Sequence, residues 1–99
     1  MPAYFVAIRD SITSQEEFKL YQEKVPSTLE GHDVRFHAAY GDFQMMEGEP
    51  IEGAVILEFP TFEEAEAWYN SPLYQDALQH RLRGAKYRTF IIKGVAESP

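Results

Sequence analysis

An α+β domain, one antiparallel four-stranded sheet with its helices on one face, is predicted by three observations. Runs with strand character recur at Ala3–Arg9, Val34–Tyr40, Ala54–Phe59 and Tyr87–Val95. Two capping-box spacings and one Ser-Pro start place helices after the first and third of these runs. Between the second and third there is only a Gly-rich, acidic turn. The order is therefore β-α-β-β-α-β, the ferredoxin-like split arrangement.

In the first strand, Tyr4, Val6 and Ile8 alternate with Phe5, Ala7 and Arg9. The stretch "TSQEEF" then opens a helix, with Thr13 and Glu16 or Ser14 and Glu17 at the spacing that lets side chains satisfy free amides. Phe18, Tyr21, Val25 and Leu29 form its apolar stripe, and Pro26 predicts a kink or a loosened last turn. The second strand bends at "YGDF" into a short continuation, Phe43 to Met46, followed by the turn-rich loop "EGEPIEG". The third strand is apolar except for Glu58, and Pro60 ends it. Thr61 with Glu64 opens the next helix, which places Phe62, Ala65, Trp68 and Tyr69 on one face to about Tyr69. Trp68 is thus expected first as a core anchor and second as a ring for a ligand to stack on. Ser71-Pro72 starts a further helix to about Gly84, with Leu73, Ala77, Leu78 and Leu82 expected on its inner side. One domain spanning 1–95 and a frayed tail at 96–99 account for the 99 residues.

Composition excludes several classes of function. With no cysteine there is no disulfide, no thiolate catalysis and no cysteine metal site, which fits a reducing, cytoplasmic setting. The start "MPAYFVAIRD" lacks the basic and apolar regions of a signal peptide, and no apolar run is long enough for a bilayer. A net charge of −7 opposes binding to nucleic acid or anionic lipid. Both sheet faces are apolar, although helices in this order cover only one. The uncovered face predicts a two-fold homodimer, sheet against sheet.

The segment "VILEFPTFEEAEAWYNSPLYQ", Val55 to Gln75, resembles the signature of the domain-of-unknown-function 1330 family. Leu57-Glu58-Phe59-Pro60, Ala65, Ala67-Trp68-Tyr69, Ser71-Pro72 and Tyr74-Gln75 all fit that signature. Ala3-Tyr4, Tyr21, Val25-Pro26, Arg35-Phe36, Glu47-Gly48 and Arg83 extend the resemblance over nearly the whole chain. Asp33-Val34 stands where the family usually has Gly-Gly, which removes backbone freedom at that corner, and "TSQ" stands where Asp-Pro is usual. The resemblance implies a dimeric α/β barrel, a superfamily that also holds small cofactor-free monooxygenases and some haem-handling proteins. The family's own activity is unassigned.

Glu58 and His37 are the candidate catalytic residues; Arg9, Tyr40, Trp68 and Arg88 are the candidate ligand-binding residues. A carboxylate among Ile56, Leu57 and Phe59 either pairs with an arginine, from Arg9, Arg35 or Arg88, or is desolvated and becomes a proton carrier. His32 is expected in a solvated corner and His80 on an outer helical face; nothing singles out one histidine as a haem ligand. The histidines lack zinc spacing, Glu47, Glu49 and Glu52 lack calcium-loop spacing, and Met45 and Met46 read as gap-fillers. There is no Gly-x-Ser-x-Gly elbow and no phosphate-binding glycine pattern. No metal and no cofactor is expected. The chain therefore reads as a homodimer binding a small molecule. By fold-level analogy it is a cofactor-free enzyme acting by proton transfer or oxygenation; the alternative is a non-catalytic binding or regulatory dimer.

Overall fold

The two strands richest in apolar residues take the centre of the sheet, where both edges are paired. A computed structural model describes residues 1–95, so the tail expected at 96–99 lies outside the described residues. The elements are β1 (Ala3–Ile12), α1 (Gln15–Thr28), β2 (Arg35–Ala39), β3 (Gly53–Phe59), α2 (Phe62–Tyr69), α3 (Pro72–Gly84) and β4 (Ala85–Lys93). The sheet order is β2-β3-β1-β4, antiparallel at every pairing, as the ferredoxin-like reading requires.

Register separates the two faces. Tyr4 lies opposite Glu58 and Ile92, Val6 opposite Ile56 and Phe90, and Ile8 opposite Ala54 and Arg88; these side chains share the open face. Phe5, Ala7, Leu57 and Phe59 point the other way, into the core with Ala65, Trp68, Tyr74 and Leu78. Trp68 is at the centre of that core. Its ring meets Phe5 at 5.1 Å, Phe59 at 5.4 Å and Tyr74 at 4.2 Å between centroids, and only 1% of its surface is exposed. Its indole N–H donates to the Thr28 hydroxyl at 3.1 Å, and that hydroxyl donates to the Val25 carbonyl at 2.7 Å. The polar edge of the tryptophan is thereby satisfied inside the core.

The capping residues act as their spacing implies. Ser14, Thr61 and Ser71 accept from the amides of Glu17, Glu64 and Tyr74 respectively, which settles the first helix on the Ser14 start. The chain passes through Pro26 without leaving the helix, and the end tightens instead, with the Leu29 N–H donating to the Pro26 carbonyl at 3.2 Å. At its other end α1 lies almost on Gly84, where a Cβ would come within 2.7 Å of the Phe18 nitrogen. The Gly84 carbonyl accepts from the amides of Thr13 and Ser14 at 2.8 and 3.0 Å, so a glycine is needed at this closing point.

Four expectations are corrected. The buried stripe of α3 is Tyr74, Ala77, Leu78 and Arg81, whereas Leu73 and Leu82 are 60% and 61% exposed. The Ser71 cap fixes that phase by directing Tyr74 against Trp68. Residues 43–46 form no strand, because Tyr40 turns off the ladder with φ 57° just after its N–H donates to Ala54. The fourth strand runs Ala85–Lys93, shifted towards the end of α3 by its pairing with Ile12. His80 is not on an outer face: it bonds Glu17 at 2.8 Å across the α1–α3 seam, where Arg83 also approaches Glu17 at 3.3 Å.

Truncating the core anchor, Trp68→Ala, is expected to cost about 3–5 kcal/mol through lost burial and a residual cavity, read as a lower urea midpoint. The His80 hydrogen bond, then the Arg83 charge, holds the Glu17 carboxyl below its ordinary range. A carboxyl lowered on folding contributes stability above its unfolded value, and the contribution is lost as pH falls through the folded one. Glu17→Gln should therefore flatten the fall in stability between roughly pH 5 and pH 3, measured by denaturant unfolding at each pH.

Candidate functional site

Between α1 and the sheet lies a cavity of about 540 Å³. Its floor is Phe5 and Ala7 of β1, Val55 and Leu57 of β3 and Tyr87 of β4, and Trp68 closes one side. Tyr21, Gln22, Val25, Pro26 and Leu29 form the roof from α1, whose apolar stripe beyond Phe18 thus faces an open space rather than the strands. The outer wall is Phe36, Ala39 and Tyr40.

A bulge in β2 builds that wall. Phe36 pairs with Leu57 and Ala38 with Ile56, so His37 is one residue too many and the alternation slips there. Phe36 and Ala39 would lie on opposite faces of a regular strand, yet both line the cavity. His37 is turned to the open face, where its Nε2 meets Glu58 Oε1 at 2.6 Å and its ring meets Tyr4 edge-on at 5.8 Å.

Tyr40 carries the strain that completes the wall. It is the non-glycine residue with positive φ among the described residues, a conformation that a bulky side chain adopts only when its surroundings impose it. Three contacts do so. The Arg9 guanidinium lies over its ring at 4.6 Å, its hydroxyl is hydrogen-bonded to that of Tyr87, and its ring edge fills the space over Gly53, where a Cβ would come within 2.8 Å.

One end of the cavity is polar. Beside the Tyr40–Tyr87 pair, the hydroxyls of Tyr21 and Tyr74 share a hydrogen bond of 2.9 Å. Burial pushes the phenols of Tyr21, Tyr74 and Tyr87 up from their ordinary value, so all three stay protonated and available as donors. Two guanidiniums stand behind them. Arg9 spans Phe18 and Tyr40, and Arg81, only 4% exposed, lies 4.7 Å from the Tyr87 ring centre and 5.8 Å from that of Tyr21.

The structure divides the residues expected from sequence between the two faces. Tyr40 and Trp68 line the cavity, and Arg9 lies behind its wall, stacked on the Tyr40 ring. Glu58 and His37 are joined to each other on the open face, across the sheet from it. The partner of Glu58 is His37 and not an arginine: Arg35 lies across from Glu58 in register but forms no ion pair with it, Arg9 belongs to the opposite face, and Arg88 makes a two-pronged contact with Asp10 at 2.9 and 3.0 Å. Tyr21, Tyr74, Arg81 and Tyr87 were not anticipated as site residues. The available signal was Arg81, a cation seven positions after Tyr74 and therefore on the same helical stripe. Among the described residues no cluster of His, Asp or Glu is suited to a metal ion, and no helix is long and apolar enough to cross a membrane.

The fold and cavity define a ferredoxin-like domain with a ligand-sized chamber between sheet and helix. The chain matches the domain of unknown function DUF1330 over residues 2–95 and belongs to that family. No curated protein matches it. Among solved structures it is similar to RPA0582 of Rhodopseudomonas palustris, a protein of unknown function, with TM-score 0.74, 17% identity and coverage of 97% of this chain and 84% of that one. A dimeric ferredoxin-like protein of unknown function from Jannaschia sp. CCS1 gives TM-score 0.68 at 10% identity, covering 95% of this chain and 100% of that one. SnoaB, a cofactor-independent oxygenase from Streptomyces nogalater, gives 0.61 at 7% identity, covering 99% and 97%. Likeness at these identities establishes the shared fold.

Gly53→Ala should push the Tyr40 ring out of the wall. The expected cost is about 1–3 kcal/mol in chemical denaturation, as for other overpacked sites.

Proposed function

We propose that the protein is a homodimer that holds one small, mainly apolar organic molecule per protomer in the cavity between α1 and the sheet. The observation that carries this is the cavity's chemistry: an apolar chamber with the hydroxyls of Tyr21, Tyr40 and Tyr87 gathered at one end, the pattern by which sites orient small ligands. Arg9, Tyr40 and Trp68 are the ligand-side residues in this reading. Glu58, His37 and Arg88 belong to the contact between protomers.

Binding is favoured over proton-transfer catalysis by the inventory of bases. Among the described residues Glu30 is the one carboxylate lining the cavity, past the end of α1 and nine positions beyond Tyr21, and the buried phenols hold their protons. The dimer is supported by the open sheet face, where Phe90 and Ile92 are 48% and 53% exposed beside Val6 and Ile56. It is supported also by the dimeric state of the Jannaschia protein, which shares the fold.

Both halves are testable. Sedimentation should give twice the 11.4 kDa chain mass, and Phe90→Glu should give monomer; a wild-type monomer at micromolar concentration would refute the dimer. Trp68 is the single tryptophan, so its indole N–H gives one NMR signal at the cavity wall. Titration with 1-naphthamide should shift that signal saturably, and Ala39→Phe, which fills the mouth, should abolish the effect. Saturable binding unchanged by Ala39→Phe would place the ligand elsewhere.

A further inference from the structure

Resting on that cavity reading, we infer that the site selects a planar apolar acid, with the ligand's carboxylate held by the tyrosine cluster at the arginine end.

The first observation is an uncompensated cation. Arg81 is 4% exposed, and no carboxylate among the described residues comes within ion-pair distance of it. Its Nε is buried without a hydrogen-bond partner, and so is the Nε of Arg9. A buried lysine or histidine escapes such a cost by losing its proton, but a guanidinium remains charged. The rings of Tyr21 and Tyr87 offset part of it through their negative faces. Arg9 reaches Glu52 only at 4.0 Å, and its better contact is the Glu52 backbone carbonyl at 3.0 Å. Two cations with unsatisfied Nε atoms therefore stand behind the polar end of the cavity, in a chain of net charge −7.

The second observation concerns protons. In each tyrosine pair, Tyr21–Tyr74 and Tyr40–Tyr87, two hydroxyls share one hydrogen bond, so one O–H per pair remains free to donate. Tyr40 contributes to the rise of the Tyr21 phenol, which places the two pairs within electrostatic reach of each other. Two free donors with two cations behind them match the two oxygens of a carboxylate. The apolar floor, Phe5, Ala7, Val55 and Leu57, suits the flat body that carries it. The arginines act through the phenols, as positioning residues; the hydroxyls make the contact.

The probes are 1-naphthoate and its neutral, equally shaped partner 1-naphthamide, followed by the Trp68 indole signal and by calorimetry. Naphthoate should bind at least about tenfold more tightly, as charge-assisted hydrogen bonds in a mainly apolar site imply. In Tyr87→Phe and in Arg81→Met the ratio of the two affinities should fall to near one. Arg9→Met supplies the charge test if Arg81→Met does not fold. Equal affinity for the two probes in the wild type overturns the selectivity and leaves the cavity reading standing. So does a ratio that survives both Tyr87→Phe and the folded arginine variant. If neither probe binds, both readings fall.

Discussion

The hydrogen bond from the Trp68 indole to the Thr28 hydroxyl is the contact on which the cavity depends. An amphipathic helix beside an apolar sheet ordinarily collapses onto it, because every CH₂ removed from water is worth about 0.8 kcal/mol. Here α1 is held off the strands by attachments along its length. At its start it rests on Gly84, in its middle Tyr21 is bonded to Tyr74, and at its end Thr28 is bonded to Trp68. All three attachments go to α3 or to the α2–α3 hairpin. The sheet side of α1 between Tyr21 and Leu29 is consequently left facing empty space, and Trp68 serves as both core anchor and cavity wall.

The outer wall follows from a local defect in an otherwise regular sheet. The extra residue at His37 gives Phe36 and Ala39 the same face, and the positive φ of Tyr40 then directs its ring back towards Arg9. The two irregularities are three residues apart, and together they convert an edge strand into a rim. Backbone strain of this kind persists only where neighbouring contacts over-determine it. The Gly53 gap, the Arg9 cation and the Tyr87 hydroxyl supply those contacts.

The fold was legible in the sequence because its signals are local. Alternation marked the strands, and the Ser14, Thr61 and Ser71 caps marked where each helix begins. The β2 bulge was not legible, since "RFHAAY" reads as a continuous strand, and its register is set by β3 rather than by its own residues. The phase of α3 was missed for a related reason. Leu73 and Leu82 are the larger apolar residues, but Tyr74 and Arg81 have the buried positions because Trp68 and Tyr87 are there to receive them. Three of the seven candidate-site residues, Arg9, Tyr40 and Trp68, could be named from residue type and place in the predicted elements. Tyr21, Tyr74, Arg81 and Tyr87 become a group only through the α1–α3 seam and the β4 register, contacts separated by dozens of residues.

The two sheet faces solve opposite electrostatic problems. On the open face Glu58 has His37 and Asp10 has Arg88, at opposite corners of the face, with Ile56, Val6 and Phe90 forming an apolar row between them. Such a surface can meet a second copy of itself through its centre, because its central row is neutral and the charged pairs stand towards its margins. The helix-covered face is built the other way. Its cations, Arg9 and Arg81, are stacked on aromatic rings and have buried nitrogens without acceptors, although the chain carries 16 acidic residues against 9 basic ones. With acids so abundant, Glu52 still reaches Arg9 only at 4.0 Å, and no carboxylate among the described residues comes within ion-pair distance of Arg81. A cation left uncompensated inside an acidic protein, behind hydroxyls that retain free protons, is an arrangement that a ligand completes.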